Sequence, residues 1–478
     1  ESKQKVISYD DSYAKLKELI ARYQKCAPTP LLMSIDAEWG LAMRIEKTPQ
    51  YPYAITLGAL PESEIGLVYE VGKQIGTDLK AAGILYNLAP LADINNNPNN
   101  PVIGYRSFGE NKEKVALFAN AYLKGMTDAG ILGSLKHFPG HGNTNVDSHL
   151  GLPILNESLE QLMANELYPF IKGIENNVDS IMIGHLAVPA LNEGENTSAT
   201  LSKNIIQNLL RNQLGFNGLI ISDALNMKSV SDLYTTKGQL EWEAFNAGND
   251  VLCFAENVAE GIQTILNNAT PERIEESFTR IWKCKEQVGI INQNDQLTNQ
   301  NTIELDFSIC DNLNRKIAAH CLTKVKADTF TGRIHEANQN ESLAQLSIYN
   351  DGFANKVAQS VQAPVFSMMG DNQTPNLESI NKYDTLLISL FVPKAKPLNQ
   401  FEIGTEVLAN LGELLQSKNC VLYVFGNPYA LQVIPNLAFA KEIVLAYQDF
   451  EVFQEAAAHQ LLNNLPCTGT LPVQIKNL

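Results

Sequence analysis

Short apolar runs that stop abruptly at a polar residue recur along the first 255 positions, with an amphipathic stretch between successive runs. LLMSI stops at Asp36, LYNLAPLA at Asp93, GILGSL at Lys136, SIMIG at His185 and GLII at Ser222 and Asp223, while DVLCF at 250–254 runs into Ala255. Each run is too short for a helix and has the near-continuous apolar character of a strand buried on both faces. The intervening stretches, 62–82, 111–129, 156–176, 202–214 and 236–247, carry the spacing of helices with one buried face. Strands alternating with helices mean parallel βαβ units. Polar residues gathered at strand C-termini are where a (β/α)8 (TIM) barrel builds its active site. Residues 1–291 are therefore expected to form an α/β barrel of that type. The count is short, because only KVISY at 5–9 remains as a strand before Leu31. The expected barrel thus lacks a first βα unit or builds it irregularly.

The polar residues at these ends can move protons or attack carbon. In KHFPGHGNTNVDSH, Lys136 to His149, the residues Pro139, Gly140 and Gly142 forbid a helix, so His137 and His141 are not paired on a helical face and the stretch is a shaped loop. Asp147 and His149 are two residues apart, which in an extended backbone points both side chains the same way. A carboxylate beside an imidazole favours the imidazolium and fixes the ring, giving a proton donor that works near neutral pH. These two are the expected acid/base pair. Asp223, in SDALNM at 222–227, has the character of a nucleophile toward an anomeric carbon and equally that of a helix cap. His137, His141, His149 and His185 are four of the seven histidines, which raises zinc as a rival. Lys136 beside them would repel a cation, so no metal and no other cofactor is expected. His141 and His185 read as packing residues. Asp93, Asn95, Asn96, Asn97, Asn99 and Asn100 read as loop shapers acting through side-chain-to-backbone bonds.

Five blocks, IDAEWGLAMR (35–44), NLAPLADINNNPNNPVIGYRSFGE (87–110), KHFPGHGNTNVDSH (136–149), IMIGHLAVPAL (181–191) and LGFNGLIISDALNM (214–227), resemble glycoside hydrolase family 3 in its two-domain N-acetyl-β-glucosaminidase branch. The resemblance implies that Asp223 is the nucleophile, His149 the acid/base and Asp147 its dyad partner. It implies that Asp36, Arg44, Arg106, Lys136 and His137 grip the sugar. The implied activity is retaining, exo-acting release of terminal β-linked N-acetylglucosamine from peptidoglycan fragments or chitooligosaccharides through a covalent glycosyl-Asp223. The alternatives are a β-glucosidase or phosphorylase of the same family, or a catalytically degenerate sugar-binding homologue. Two departures stand out. Trp39 occupies a place where many members have Gly, and its face either stacks on a sugar or packs under the loop. Relatives also carry a further strand and helix before the region of residue 10; without them a barrel has an open seam with exposed strand edges.

Thr270, Pro271 and Glu272 mark the start of a helix running to about Val288. Residues 292–302 are polar and low in complexity, the composition of a linker. Beyond them, apolar runs at 343–350, 363–369, 385–392, 419–427 and 442–448 alternate with helical stretches such as 402–417 and 451–464. Residues 303–478 are thus expected to form a smaller αβα sandwich. It carries no nucleotide fingerprint, and its expected role is packing against the barrel and lending a loop to the cleft.

A net charge of -16 argues against nucleic acid and anionic membrane surfaces as partners and does not identify a substrate; the carbohydrate substrate is what the resemblance implies. Seven cysteines without a CxxC form no disulfide framework or zinc knuckle, and Cys253 and Cys420 read as buried thiols within strands. No run has the length of a membrane span. Two-domain relatives are often exported, so the periplasm or cell envelope of a bacterium is the expected location, with the cytoplasm as the alternative.

Overall fold

The computed structural model describes residues 11–148, 151–291, 304–327, 334, 338–339, 342–371 and 377–476. The chain divides into two compact units, the first comprising 1–51, 68–107 and 112–310, the second 52–67, 108–111 and 311–478. Two short segments inside the region read as barrel, 52–67 and 108–111, therefore cluster with the C-terminal part of the chain. The expected linker at 292–302 and the strand expected at 5–9 lie outside the described residues.

The first unit carries five parallel strands, β1 (Ser34–Ile35), β2 (Tyr86–Asn87), β3 (Leu132–Phe138), β4 (Ser180–Ile183) and β5 (Leu219–Ser222), side by side in chain order. That order is what successive βαβ units produce, and the sheet is a half-barrel. β1 is short for a physical reason: just past it, the amide side chain of Asn87 takes both Ala37 N–H and Ala37 C=O, at 3.0 and 3.1 Å, replacing a backbone partner. DVLCF joins β5 through a single bridge, Ile221 to Val251. Its next amide, Cys253 N–H, goes to Ser222 Oγ at 3.0 Å instead of to a carbonyl, so no regular strand continues.

The helices Ile65–Ala81 and Lys112–Ala129 follow the expected stretches closely. They approach closely where each has a glycine. A Cβ on Gly72 would lie 2.1 Å from Tyr122 O, and one on Gly125 would lie 2.1 Å from Tyr69 O. The stretch 156–176 is two helices, Leu159–Ala164 and Tyr168–Glu175. The first opens on a capping box between Ser158 and Gln161. The second has Pro169 in its first turn, where a missing N–H costs nothing, so the chain restarts there. At the other end of the unit the buried Asp250 accepts from Arg211 Nη2 at 2.7 Å, Arg280 Nη1 at 3.0 Å, Ser277 Oγ at 2.7 Å and Ile220 N–H at 3.0 Å. Arg273 Nη1 adds a longer contact at 3.3 Å.

The second unit has a six-stranded sheet ordered β6-β11-β10-β9-β7-β8, with β6 (Thr323–Ala327), β7 (Leu343–Ile348), β8 (Val365–Met368), β9 (Thr385–Phe391), β10 (Asn419–Phe425) and β11 (Glu442–Leu445). All pairings are parallel except β6 on β11. The helices Gly352–Ala358 and Glu451–Leu462 set Phe353, Val357, Ala457, Ala458 and Leu461 on Leu343, Leu387, Tyr423, Phe425 and Val444. β6 reads TKVKA and escapes the sequence analysis because an edge strand needs no continuous apolar run; its lysines are what a sheet edge tolerates. No described helix is long and apolar enough to cross a membrane. Cys284, Cys310, Cys321 and Cys420 are buried.

Candidate active site

The ends of β1 and β3 assemble a charged cluster. Lys136, two residues before the end of β3, is 2% exposed and places Nζ 3.0 Å from Asp36 Oδ1 and 2.8 Å from Glu38 Oε1. Arg106 forks onto Glu38, Nε to Oε2 at 2.9 Å and Nη2 to Oε1 at 2.7 Å, and gives Nη1 to Val102 O at 3.2 Å. The half-exposed Arg44 gives Nη2 to Asp36 Oδ2 at 2.9 Å. Burial opposes charge on Asp36, Glu38 and Lys136, but the opposite charges outweigh it: Asp36 and Glu38 are held below the usual carboxylate range and Lys136 above the usual ammonium range. Asp36, Arg44, Arg106 and Lys136 were all expected here. Glu38 was missed, although its position two residues past Asp36 at the end of a strand was the available signal.

The histidine loop is wound about one buried carboxylate. Asp93 accepts from His137 N–H at 3.2 Å, from His137 Nδ1 at 2.7 Å and from His141 N–H at 2.7 Å. The asparagines shape the neighbouring chain as expected: Asn100 Nδ2 donates to His141 O at 2.9 Å and Gly142 O at 3.1 Å, and Asn97 Nδ2 to Thr144 O at 2.9 Å. Gly142 is required by close approach, since a Cβ there would lie 1.6 Å from Ile94 O. His141 is a packing residue, with Nδ1 2.7 Å from Thr144 Oγ1 and Nε2 3.2 Å from Ser148 Oγ. Burial, with the neighbouring His137 charge, lowers its pKa to about 4.

At the loop's outer end Gly151 N–H bonds Asp147 O at 3.1 Å. Asp147 is partly exposed beside the anchored Ser148, and His149 lies outside the described residues.

Asp223 stands at the end of β5, its N–H on Ile183 O at 2.9 Å. Burial raises its pKa, but the charges of His185, His137 and Lys136 and the Ala224 N–H on its Oδ1 bring it down to about 2. It is not a helix cap: the next helix, Lys228–Ser231, has Met227 at its N-cap position. His185 is buried, with Nε2 donating to Ala224 O at 2.9 Å and Nδ1 2.7 Å from Thr200 Oγ1. Cys253 is partly exposed, a departure from the buried thiol expected of a strand interior, because its run has left the strand by then. Burial and the charges of Asp223 and Asp36 push its thiol up to about 12.

Residues 9–284, more than half of the chain, match the model of the glycosyl hydrolase family 3 N-terminal domain. The chain belongs to glycosyl hydrolase family 3. Beta-hexosaminidase A of Pseudoalteromonas piscicida is 35% identical over 295 residues, 55% of this chain and 49% of that protein. The match thus spans about half the length of that relative. A family 3 β-N-acetylglucosaminidase from Paenibacillus sp. strain FPU-7 superposes with a TM-score of 0.80 at 27% identity, over 97% of this chain and 90% of that one. A β-glucoside phosphorylase shares the fold with a TM-score of 0.83 at 21% identity, over 97% of this chain and 88% of that one.

In this family 3 barrel unit the departure at Trp39 has a defined surrounding. The indole is partly exposed, and its ring centre lies 6.0 Å from that of Tyr105, tilted by 48°. It is therefore not wholly packed under the loop. Tyr105 precedes Arg106 in sequence and lies within reach of the Arg106, Glu38 and Arg44 charges. A carboxylate kept ionised, a fixed ammonium and an aromatic pair can together bind a polar ring and attack its electrophilic carbon.

Proposed function

We propose that this family 3 chain is a retaining, exo-acting β-N-acetylglucosaminidase that trims terminal β-linked N-acetylglucosamine from peptidoglycan fragments or chitooligosaccharides. The observation that carries the reading is Asp223, an ionised carboxylate at a strand end in the same unit as the Asp36, Glu38, Lys136 and Arg106 cluster. The names of the hexosaminidase relative and the glucosaminidase neighbour support the aminosugar.

In this reading Lys136, Asp36, Arg44 and His137 hold the hydroxyls of one pyranose. The Nδ1 of His137 is taken by Asp93, which leaves Nε2 for the sugar. Asp223 attacks the anomeric carbon while His149, as imidazolium with Asp147 as its partner, gives its proton to the glycosidic oxygen; the C1–O bond breaks and a glycosyl-Asp223 ester forms. Neutral His149 then takes a proton from water, whose oxygen attacks C1 and releases Asp223. Two inversions give net retention.

The test is turnover of an aryl N-acetyl-β-glucosaminide against the matching β-glucoside, with Asp223→Asn as the control. Cleavage of the aminosugar alone, lost by about a thousandfold or more in the variant, is the expected result. Preference for the glucoside overturns the substrate assignment. A folded, inert wild-type chain indicates a degenerate sugar-binding homologue.

A further inference from the structure

Glu38 is the least exposed member of the cluster after Lys136, at 6% of its side chain. Its carboxylate is occupied: Oε1 lies 2.8 Å from Lys136 Nζ and 2.7 Å from Arg106 Nη2, and Oε2 lies 2.9 Å from Arg106 Nε. Its backbone is tied too, since Tyr122 Oη donates to Glu38 O at 3.0 Å. Three of the roughly four lone-pair sites of this carboxylate are thus taken, and it is far less exposed than Asp36, whose side chain is 31% exposed. Lys136 and Arg106 are like charges sharing one oxygen atom as acceptor, and without that oxygen they repel in a buried place.

We propose that Glu38 is a positioning residue that holds Lys136 and Arg106 together as a fixed pair of donors for the hydroxyls of the bound sugar. The inference rests on the glycosidase reading for its ligand and on the ion-pair geometry for its cause. Of the three Nζ protons of Lys136, one is directed to Asp36 and one to Glu38, and the third remains for substrate. Of the five Arg106 donors, three are spent on Glu38 and Val102. The groups whose charges act with Lys136 are Asp36 and Glu38 past β1, Arg106 past β2, Asp223 at the end of β5 and Cys253 beyond it. Removing the Glu38 charge leaves Lys136 between one carboxylate neighbour and an unpaired guanidinium. The ammonium is then easier to deprotonate and free to shift.

The test compares wild type, Glu38→Gln, Lys136→Met and the double variant by two measurements. Calorimetry reads binding of N-acetylglucosamine. NMR of the lysine ε-carbons reads the Lys136 titration, its signal assigned by its loss in Lys136→Met. Glu38→Gln is expected to weaken binding about tenfold or more and to lower the Lys136 midpoint by about one pH unit or more. In the Lys136→Met background the same substitution is expected to change binding by less than about twofold. An unchanged midpoint, or effects on binding that simply multiply, overturns the inference. Should Glu38→Gln fail to fold, Glu38→Asp decides: it keeps the charge but withdraws it by one methylene, so weakened binding with a preserved midpoint supports positioning and unchanged binding overturns it. A wild-type chain that does not bind the aminosugar defeats the functional reading, while the titration shift still decides the role of Glu38.

Discussion

At the scale of residues, the site is built from buried groups whose charged forms are held by their neighbours. Asp223 is the clearest case: burial alone would raise its pKa, and the histidines, Lys136 and the Ala224 N–H bring it down to about 2. The acid limb of kcat/KM is therefore not set by Asp223 until about pH 2, and the alkaline limb is expected to follow His149, whose class titrates near pH ~6.5. A pH-rate profile checks this, with His149→Gln expected to abolish the alkaline limb. His141 shows the opposite sign. It is neutral in the fold with a pKa of about 4, whereas the unfolded chain binds that proton from about pH 6.5 downward. Stability is present in full above the unfolded value and lost as pH falls toward 4, by about 3 kcal/mol from this group. Urea unfolding at both ends of the window, compared with His141→Gln, measures the difference, and an equal slope in the variant contradicts it. Much of this chemistry was legible because polar residues at strand ends are conspicuous: Asp36, Lys136 and Asp223 stand where apolar runs stop. Glu38 was missed: its place two residues past Asp36 was a signal, but its pairing with two cations from distant segments leaves no mark in a single chain.

At the scale of elements, the runs with strong periodicity became the expected helices and strands, and the exceptions have local causes. Ser222 Oγ takes an amide of the DVLCF run, Asn87 takes both polar groups of Ala37, and Pro169 restarts a helix. None of these is a matter of propensity; each is a side chain or ring replacing a backbone partner. The close crossing at Gly72 and Gly125 was also invisible in sequence, because an isolated glycine in a helical pattern reads only as a weak position. Alanine at either place would put a methyl 2.1 Å from a carbonyl oxygen of the facing helix. Gly72→Ala and Gly125→Ala are each expected to destabilise by about 1–3 kcal/mol through forced separation of the helices. Chemical denaturation gives the value, and a neutral or stabilising result would mean that the helices part without cost.

At the scale of the whole molecule, the parallel sheet of the first unit and the α/β sheet of the second were readable from the alternation of apolar runs with helical stretches, and the family from the five motif blocks that resemble it. The assignment of 52–67 and 108–111 to the second unit was not, since a chain excursion between compact units leaves no compositional trace. The first unit is fastened by Asp250, which gathers three arginines from the helices 204–213 and Pro271–Gln287 around the start of the DVLCF run. Asp250→Ala leaves those guanidiniums without their shared anion and is expected to cost about 3–5 kcal/mol, measurable as a lower unfolding free energy with KM unchanged where the protein stays folded. The central claim is a covalent glycosyl-enzyme on Asp223. Incubation with a fluorinated aryl N-acetyl-β-glucosaminide, whose electron-poor ring slows breakdown of the intermediate, followed by mass spectrometry of the intact and digested protein, tests it directly. The account predicts one added sugar mass, carried by the peptide containing Asp223. A label on another residue, or cleavage of the ordinary substrate with no label at all, would contradict it.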